Sequence, residues 1–119
     1  MKSKVFWLVE LKIVEQNFEK IKSFMDDVFI AAVNDEPNTL SNEWFISDDK
    51  KICHMIDRYT DSEAVLNHLN IFAEKFNDRF NAYFELTRFI VYGNPNEEVK
   101  KAVAGFNPIY LPSFSGFEK

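Results

Sequence analysis

Residues 39–76 read TLSNEWFISDDKKICHMIDRYTDSEAVLNHLNIFAEKF, and their division decides the fold. Residues 39–47 and 51–59 are rich in β-branched and aromatic types, with Asp48-Asp49-Lys50 as a short polar turn between them, which predicts an antiparallel hairpin. Thr60-Asp61-Ser62-Glu63 then offers a capping oxygen and a glutamate three residues on that can reach back to it. Beyond the cap, Val65, Leu69, Phe72, Phe76 and Phe80 recur at spacings of four, three, four and four, so one face stays apolar and a helix is expected over about 62–80.

The flanks complete the pattern. Residues 4–13, KVFWLVELKI, place Val5, Trp7, Val9, Leu11 and Ile13 on one side at period two and predict a strand. From about Val14 to Val33 the period lengthens: Phe18, Ile21, Phe24, Met25, Val28, Phe29 and Ala32 form the apolar stripe of a helix that the loop Asn34-Asp35-Glu36-Pro37-Asn38 ends. Residues 83–92, YFELTRFIVY, predict a fourth strand closed by Gly93-Asn94-Pro95-Asn96. Glu97 to Phe106 predicts one short helix ended by Gly105. An extended tail, Asn107 to Lys119, carries Ile109, Tyr110, Leu111, Phe114 and Phe117 and is too apolar to hang free.

Strand, helix, strand, strand, helix, strand is the ferredoxin-like α+β order: a four-stranded antiparallel sheet with both helices on one face. An antiparallel sheet solvated on its other side alternates apolar with polar residues, but here Phe6 and Leu8 oppose Trp7 and Val9, and Ile52 and Ile56 oppose Cys53 and Met55. In the fourth strand Phe84, Leu86 and Ile90 oppose Phe89 and Val91. A cover for the helix-free face is required, and a second copy of the chain packing sheet to sheet supplies one, so a homodimer is expected.

At 119 residues the chain is one domain, 1–119, with 46% hydrophobic and 28% charged residues, enough to bury a core. Thirteen Phe, four Tyr and two Trp against three Gly make an aromatic filling. A net charge of -5 repels phosphate backbones and anionic lipid, which argues against nucleic-acid and membrane partners. The lone Cys53 excludes an internal disulfide and an all-cysteine metal site and suggests a reducing compartment. Glu10 and Lys12 interrupt the apolar start, and no stretch approaches the roughly 18 apolar residues of a membrane span, so a cytoplasmic protein is expected.

Several residues carry a resemblance to a known family. They are Asn42-Glu43-Trp44 and Ser47-Asp48-Asp49 in the hairpin, Asp57 to Ala64 leading into the second helix, His68 on that helix, and Val91-Tyr92-Gly93. Together with the element order, they make most of the chain resemble the antibiotic biosynthesis monooxygenase-like family of dimeric α/β barrels. The resemblance implies a dimer with a pocket between helices and sheet. It also implies kinship with oxygenases that act on quinols or polycyclic aromatics without metal or flavin. The haem-degrading branch is marked by an asparagine and a tryptophan acting alongside the histidine, and the first strand here has no asparagine, which argues against haem; with the metal- and flavin-free oxygenases as kin, no cofactor is expected.

His68 borders the buried stripe three residues after Val65 and four before Phe72, so its imidazole is directed at the sheet and suits a general base near neutral pH. A core-edge imidazole satisfied by one hydrogen bond is the alternative. Asp57 and Tyr59 share one strand face with Cys53 and Met55, while Arg58 shares the other with His54. Only one set can face the helices. If it is the first, Asp57 orients His68 and Tyr59 hydrogen-bonds a substrate oxygen. Glu43 is a further catalytic candidate able to polarise a phenol, and Trp44, Phe72 and Arg58 are candidates for binding substrate. For Asp57 and Arg58 an ion pair with a neighbouring strand or a partner chain is the competing account, and for Glu43 an ion pair with Arg88 or Arg58. Two histidines without metal-ligand spacing, no glycine-rich phosphate loop and no GxSxG motif leave metal, nucleotide and hydrolase readings unsupported. The expectation is a cofactor-independent monooxygenase taking an electron-rich aromatic and dioxygen, with a non-catalytic binding barrel, or an isomerase or decarboxylase, as alternatives.

Overall fold

The computed structural model describes residues 4–119. Strand β1 (Val5–Ile13) leads into helix α1 (Phe18–Asp35), followed by the hairpin β2 (Thr39–Ile46) and β3 (Ile52–Tyr59). Helices α2 (Ser62–Lys75) and α3 (Asn77–Tyr83) precede β4 (Phe84–Gly93). Helix α4 (Glu97–Val103), a tight turn over Ala104–Phe106 and the short strand β5 (Ile109–Leu111) complete the chain. The sheet order is β2-β3-β1-β4-β5, antiparallel except where β5 runs parallel to β4. The expected ferredoxin-like α+β order is therefore present, but the sheet has five strands and is mixed. Ile109, Tyr110 and Leu111 of the expected tail pair with Ile90, Val91 and Tyr92.

Helix starts follow side-chain caps. Asn17 accepts from Glu19 N at 3.1 Å and starts α1 later than the apolar stripe suggested, because Phe18 is its first helical residue. At α2 the capping residue is Asp61, accepting from Ala64 N at 3.0 Å, and not Thr60. The single helix expected over 62–80 breaks at Phe76, which leaves helical geometry at φ -123, ψ -12. The break turns the chain, so Phe76 packs against Phe24 while Phe80 approaches Phe84.

Val5, Trp7, Val9 and Leu11 of β1 and Cys53, Met55, Asp57 and Tyr59 of β3 face the helices and are buried. Phe24 of α1, fully buried, sits among the rings of Phe72, Phe76, Phe80, Tyr83 and Phe84. In β4 the register shifts between Glu10 and Leu11 of its partner: Glu10 pairs with Arg88 but Leu11 with Leu86, leaving Thr87 as the extra residue of a bulge. Thr87 Oγ1 donates there to Glu10. Simple alternation placed Phe84 and Leu86 opposite Phe89; the bulge puts Phe84, Leu86 and Phe89 on the same, helix-covered side.

Candidate active site

Between the helices and the sheet lies a cavity of about 210 Å³. Its inner end is formed by Trp7, Asp57 and His68, all buried, and its outer end by the exposed Asn81, Leu86 and Phe106. The walls between them are apolar, including Val9, Met55, Phe72, Phe80 and Phe89.

His68 reaches this place because α2 turns its apolar stripe onto β1 and β3. Its ring lies 5.4 Å from that of Tyr59 and 5.7 Å from that of Phe72, centroid to centroid. Nδ1 donates to Glu36 Oε1 at 2.8 Å, and the same oxygen accepts from Thr39 Oγ1 at 2.8 Å. Glu36 follows the last turn of α1 and is only 4% exposed. With Nδ1 engaged, Nε2 is the ring nitrogen left for the cavity, and among the described residues no hydrogen bond occupies it.

Asp57 is held at both oxygens. Trp7 Nε1 donates to Oδ2 at 2.8 Å, and Asn42 Nδ2 donates to Oδ1. Asn42 is itself fixed, accepting from Trp44 Nε1 at 2.7 Å. The β2–β3 register makes this chain possible, since Asn42 lies opposite Asp57 and Trp44 opposite Met55 on the helix-covered face.

The charges respond to this packing. Burial opposes a positive imidazole, yet the Glu36 hydrogen bond and the negative charges of Asp57 and Glu36 outweigh it, so the pKa of His68 is raised. For Glu36 burial opposes ionisation, but the hydrogen bond and charge of His68, with the Thr39 hydroxyl, win and its pKa is lowered. Burial dominates at Asp57, whose pKa is raised despite the nearby imidazole and its two N–H donors. Tyr59 is pushed well above its ordinary value by burial and by Asp57 and Glu36. Its buried hydroxyl lies beside the Asp57 carboxylate, the acceptor toward which it would donate, without the geometry of a full hydrogen bond.

The structure thus brings His68, Asp57 and Phe72 together around one cavity, with Tyr59 packed behind His68. Trp44 is not on the cavity wall: its ring packs on Phe24 and Phe84 and its N–H supports Asn42. Glu43 is exposed and opposes Ile56, on the helix-free face, because β2 alternates and Asn42 and Trp44 take the inner side. Arg58 is also on that outer face, its guanidinium 5.1 Å from the Phe6 ring centre. Neither Glu43 nor Arg58 reaches the cavity. Glu36 and Asn42 are the polar residues that a reading of candidate catalytic groups passed over. Glu36 lay hidden in a run of turn formers, and the signal for it was a carboxylate placed just after an amphipathic helix.

No family model matches the chain, and no curated protein matches it. Solved structures do. The crystal structure of MupZ from Pseudomonas fluorescens superposes with a TM-score of 0.87 at 21% identity, covering 100% of this chain and 91% of that one. SnoaB from Streptomyces nogalater, a cofactor-independent oxygenase, superposes with a TM-score of 0.65 at 11% identity over 79% of this chain and 95% of its own. A candidate antibiotic biosynthesis monooxygenase from Bacteroides thetaiotaomicron gives 0.60 at 15% identity over 71% and 85%. The chain has the fold of the antibiotic biosynthesis monooxygenase-like family. MupZ spans β5 and the tail as well, whereas the other two overlay only part of the chain. At these identities the likeness is one of fold. No described helix is long and apolar enough to cross a membrane.

Proposed function

We propose that the chain is a small-molecule enzyme in which His68 moves a proton at a substrate oxygen inside an apolar cavity, and that the reaction is a cofactor-independent monooxygenation. The carrying observation is that His68 lines the cavity with Nδ1 held by Glu36 at 2.8 Å, which leaves Nε2 for a ligand. The likeness in fold to SnoaB, a cofactor-independent oxygenase, supports the oxidative form of the reading.

In that form an electron-rich hydroxyarene lies between Phe72, Phe80 and Phe89 with its hydroxyl at the inner end. Unprotonated His68 takes the hydroxyl proton, with Asp57 stabilising the imidazolium. The arene anion passes an electron to dioxygen and the radical pair combines. One oxygen atom stays on the ring carbon as a carbonyl, and the other leaves as water with the two hydrogens lost from the substrate. Apolar walls keep bulk water from the intermediate. Tyr59 acts from behind His68, packing the ring. A quinol panel in an oxygen electrode tests the proposal. Uptake above the buffer rate supports it, and an inert panel counts against it.

A second reading uses the same residues without oxygen. The raised pKa of His68 beside two carboxylates strengthens its hold on a proton, and the protonated form is an acid suited to isomerisation-type proton transfer. Turnover that persists anaerobically would select it.

We also propose a homodimer formed across the helix-free face. Phe6 and Tyr92 stack there at 4.9 Å, and Ile52, Phe45 and Leu40 are about half exposed. Phe114 and Phe117 of the tail are 100% and 84% exposed, and in this proposal the tail braces the partner.

A further inference from the structure

The inner end of the cavity has an unusual charge balance for a ligand site. It pairs one imidazole with two buried carboxylates, Asp57 facing the cavity and Glu36 behind His68. Among the described residues lining the cavity there is no lysine or arginine; besides Asp57 and His68 its polar group is Asn81 at the exposed end. Even with the imidazole protonated, the two carboxyl groups outnumber it. An anionic group entering the inner end would lose its water and find no lysine or arginine, only an imidazole already paired with Glu36 beside a second carboxylate.

Asp57 also has defined hydrogen-bonding capacity. Each oxygen already accepts one N–H, from Trp7 and Asn42, which fixes the carboxylate plane, and the buried Tyr59 hydroxyl lies beside it, so at most one acceptor position is left for a ligand. The available groups are therefore an acceptor on Asp57 and the Nε2 of His68. A hydroxyl suits both groups: it accepts from a protonated Nε2 while donating to the carboxylate, and it donates to Nε2 when the imidazole is unprotonated, the state in which the reaction begins. An ether or ester oxygen accepts only and leaves Asp57 unmatched.

We infer that Asp57 is the specificity-determining residue of the cavity: it selects a neutral, largely apolar ligand that enters hydroxyl first, and it excludes carboxylates and other anions. The inference rests on reading this cavity as the substrate site. It deepens that reading by assigning a charge class and a leading group. Charge on a longer ligand stays beyond Phe106, where an adjoining hollow is bordered by Arg88.

The test compares three probes of one ring system by isothermal titration of the unmodified protein at pH 7: 2-naphthol, 2-methoxynaphthalene and 2-naphthoate. The naphthol is expected to bind about tenfold or more tightly than the methyl ether, because the ether leaves a buried acceptor unmatched. The naphthoate is expected to bind weakest. Asp57→Asn should shrink both differences, which assigns them to Asp57; where that variant fails to fold, Asp57→Glu read the same way makes the assignment, and the unmodified protein alone tests the charge class and the leading group. Equal affinity for naphthol and its ether, naphthoate binding as tightly as naphthol, or no naphthol binding at millimolar concentration would each overturn the inference. Oxygen consumption separates the two ideas. The binding order can hold in a protein that takes up no oxygen, and an oxygenase that prefers a carboxylated substrate would retain the reaction and lose the filter.

Discussion

His68 on α2 and Glu36 at the end of α1 are 32 residues apart in the chain and meet at 2.8 Å with both side chains buried. This contact ties the second helix to the loop after the first and decides which imidazole nitrogen faces the cavity. The consequence is electrostatic: a buried imidazole would ordinarily lose its proton readily, and the carboxylate reverses that tendency.

The first prediction is a titration. Carbon-bound ring-proton shifts of His68, followed by NMR, should give a pKa above the ordinary 6.5. Glu36→Gln should lower it, because the amide keeps a hydrogen bond but removes the charge. An unchanged value in the variant would mean that Glu36 is a packing residue only.

Linkage extends the same pair to stability. Because the folded pKa of His68 is raised, its contribution is fully present below the unfolded value of about 6.5 and is lost as pH rises through the folded pKa. The folded pKa of Glu36 is lowered, so its contribution is present above its unfolded value of about 4.5 and is lost as pH falls through the folded pKa. The Tm difference between wild type and Glu36→Gln should therefore be largest between about pH 4.5 and 6.5 and shrink on either side. Asp57 titrates in both proteins and largely cancels from the difference. A flat Tm difference across this range would exclude the ion pair as a stabilising contact.

Phe24 concentrates the packing of α1. Its truncation to Ala removes a fully buried ring from a cluster of aromatic side chains and should cost about 3–5 kcal/mol in urea unfolding.

Gly93 closes β4 at φ +95, and a Cβ placed there would lie 2.6 Å from the backbone oxygen of Lys4. Gly93→Ala should therefore destabilise by about 1–3 kcal/mol, since neither atom belongs to a flexible side chain. Differential scanning calorimetry reads this as a lower Tm.

The dimer proposal predicts that Phe6→Glu shifts sedimentation from dimer toward monomer, and that truncation after Asn107 weakens association. Full-length protein sedimenting as a monomer at micromolar concentration would remove the proposal.

The strand and helix order was legible because each period belongs to one buried face: Val5, Trp7, Val9 and Leu11 on a strand, Ile21, Phe24, Met25 and Val28 on a helix. What escaped alternation was geometry set by neighbours. The bulge at Thr87 moves Phe84 and Leu86 onto the cavity side, and nothing in YFELTRFIVY marks the inserted residue. The break at Phe76 escaped because the apolar spacing continues through it. At the site, strand parity could not be read from Asp57-Arg58-Tyr59 alone; tertiary packing chose Asp57 and Tyr59 and left Arg58 outside. Glu36 was invisible as a partner of His68, since pairing over 32 residues leaves no local spacing.

The most direct measurement is turnover and ligand affinity of His68→Ala beside wild type, on whichever phenol or quinol the wild-type protein converts. The account predicts a loss of about 10²–10⁴-fold in turnover, the span of general acid–base catalysis, with affinity retained. Wild-type turnover in the variant would contradict it and return His68 to the role of a packed core residue.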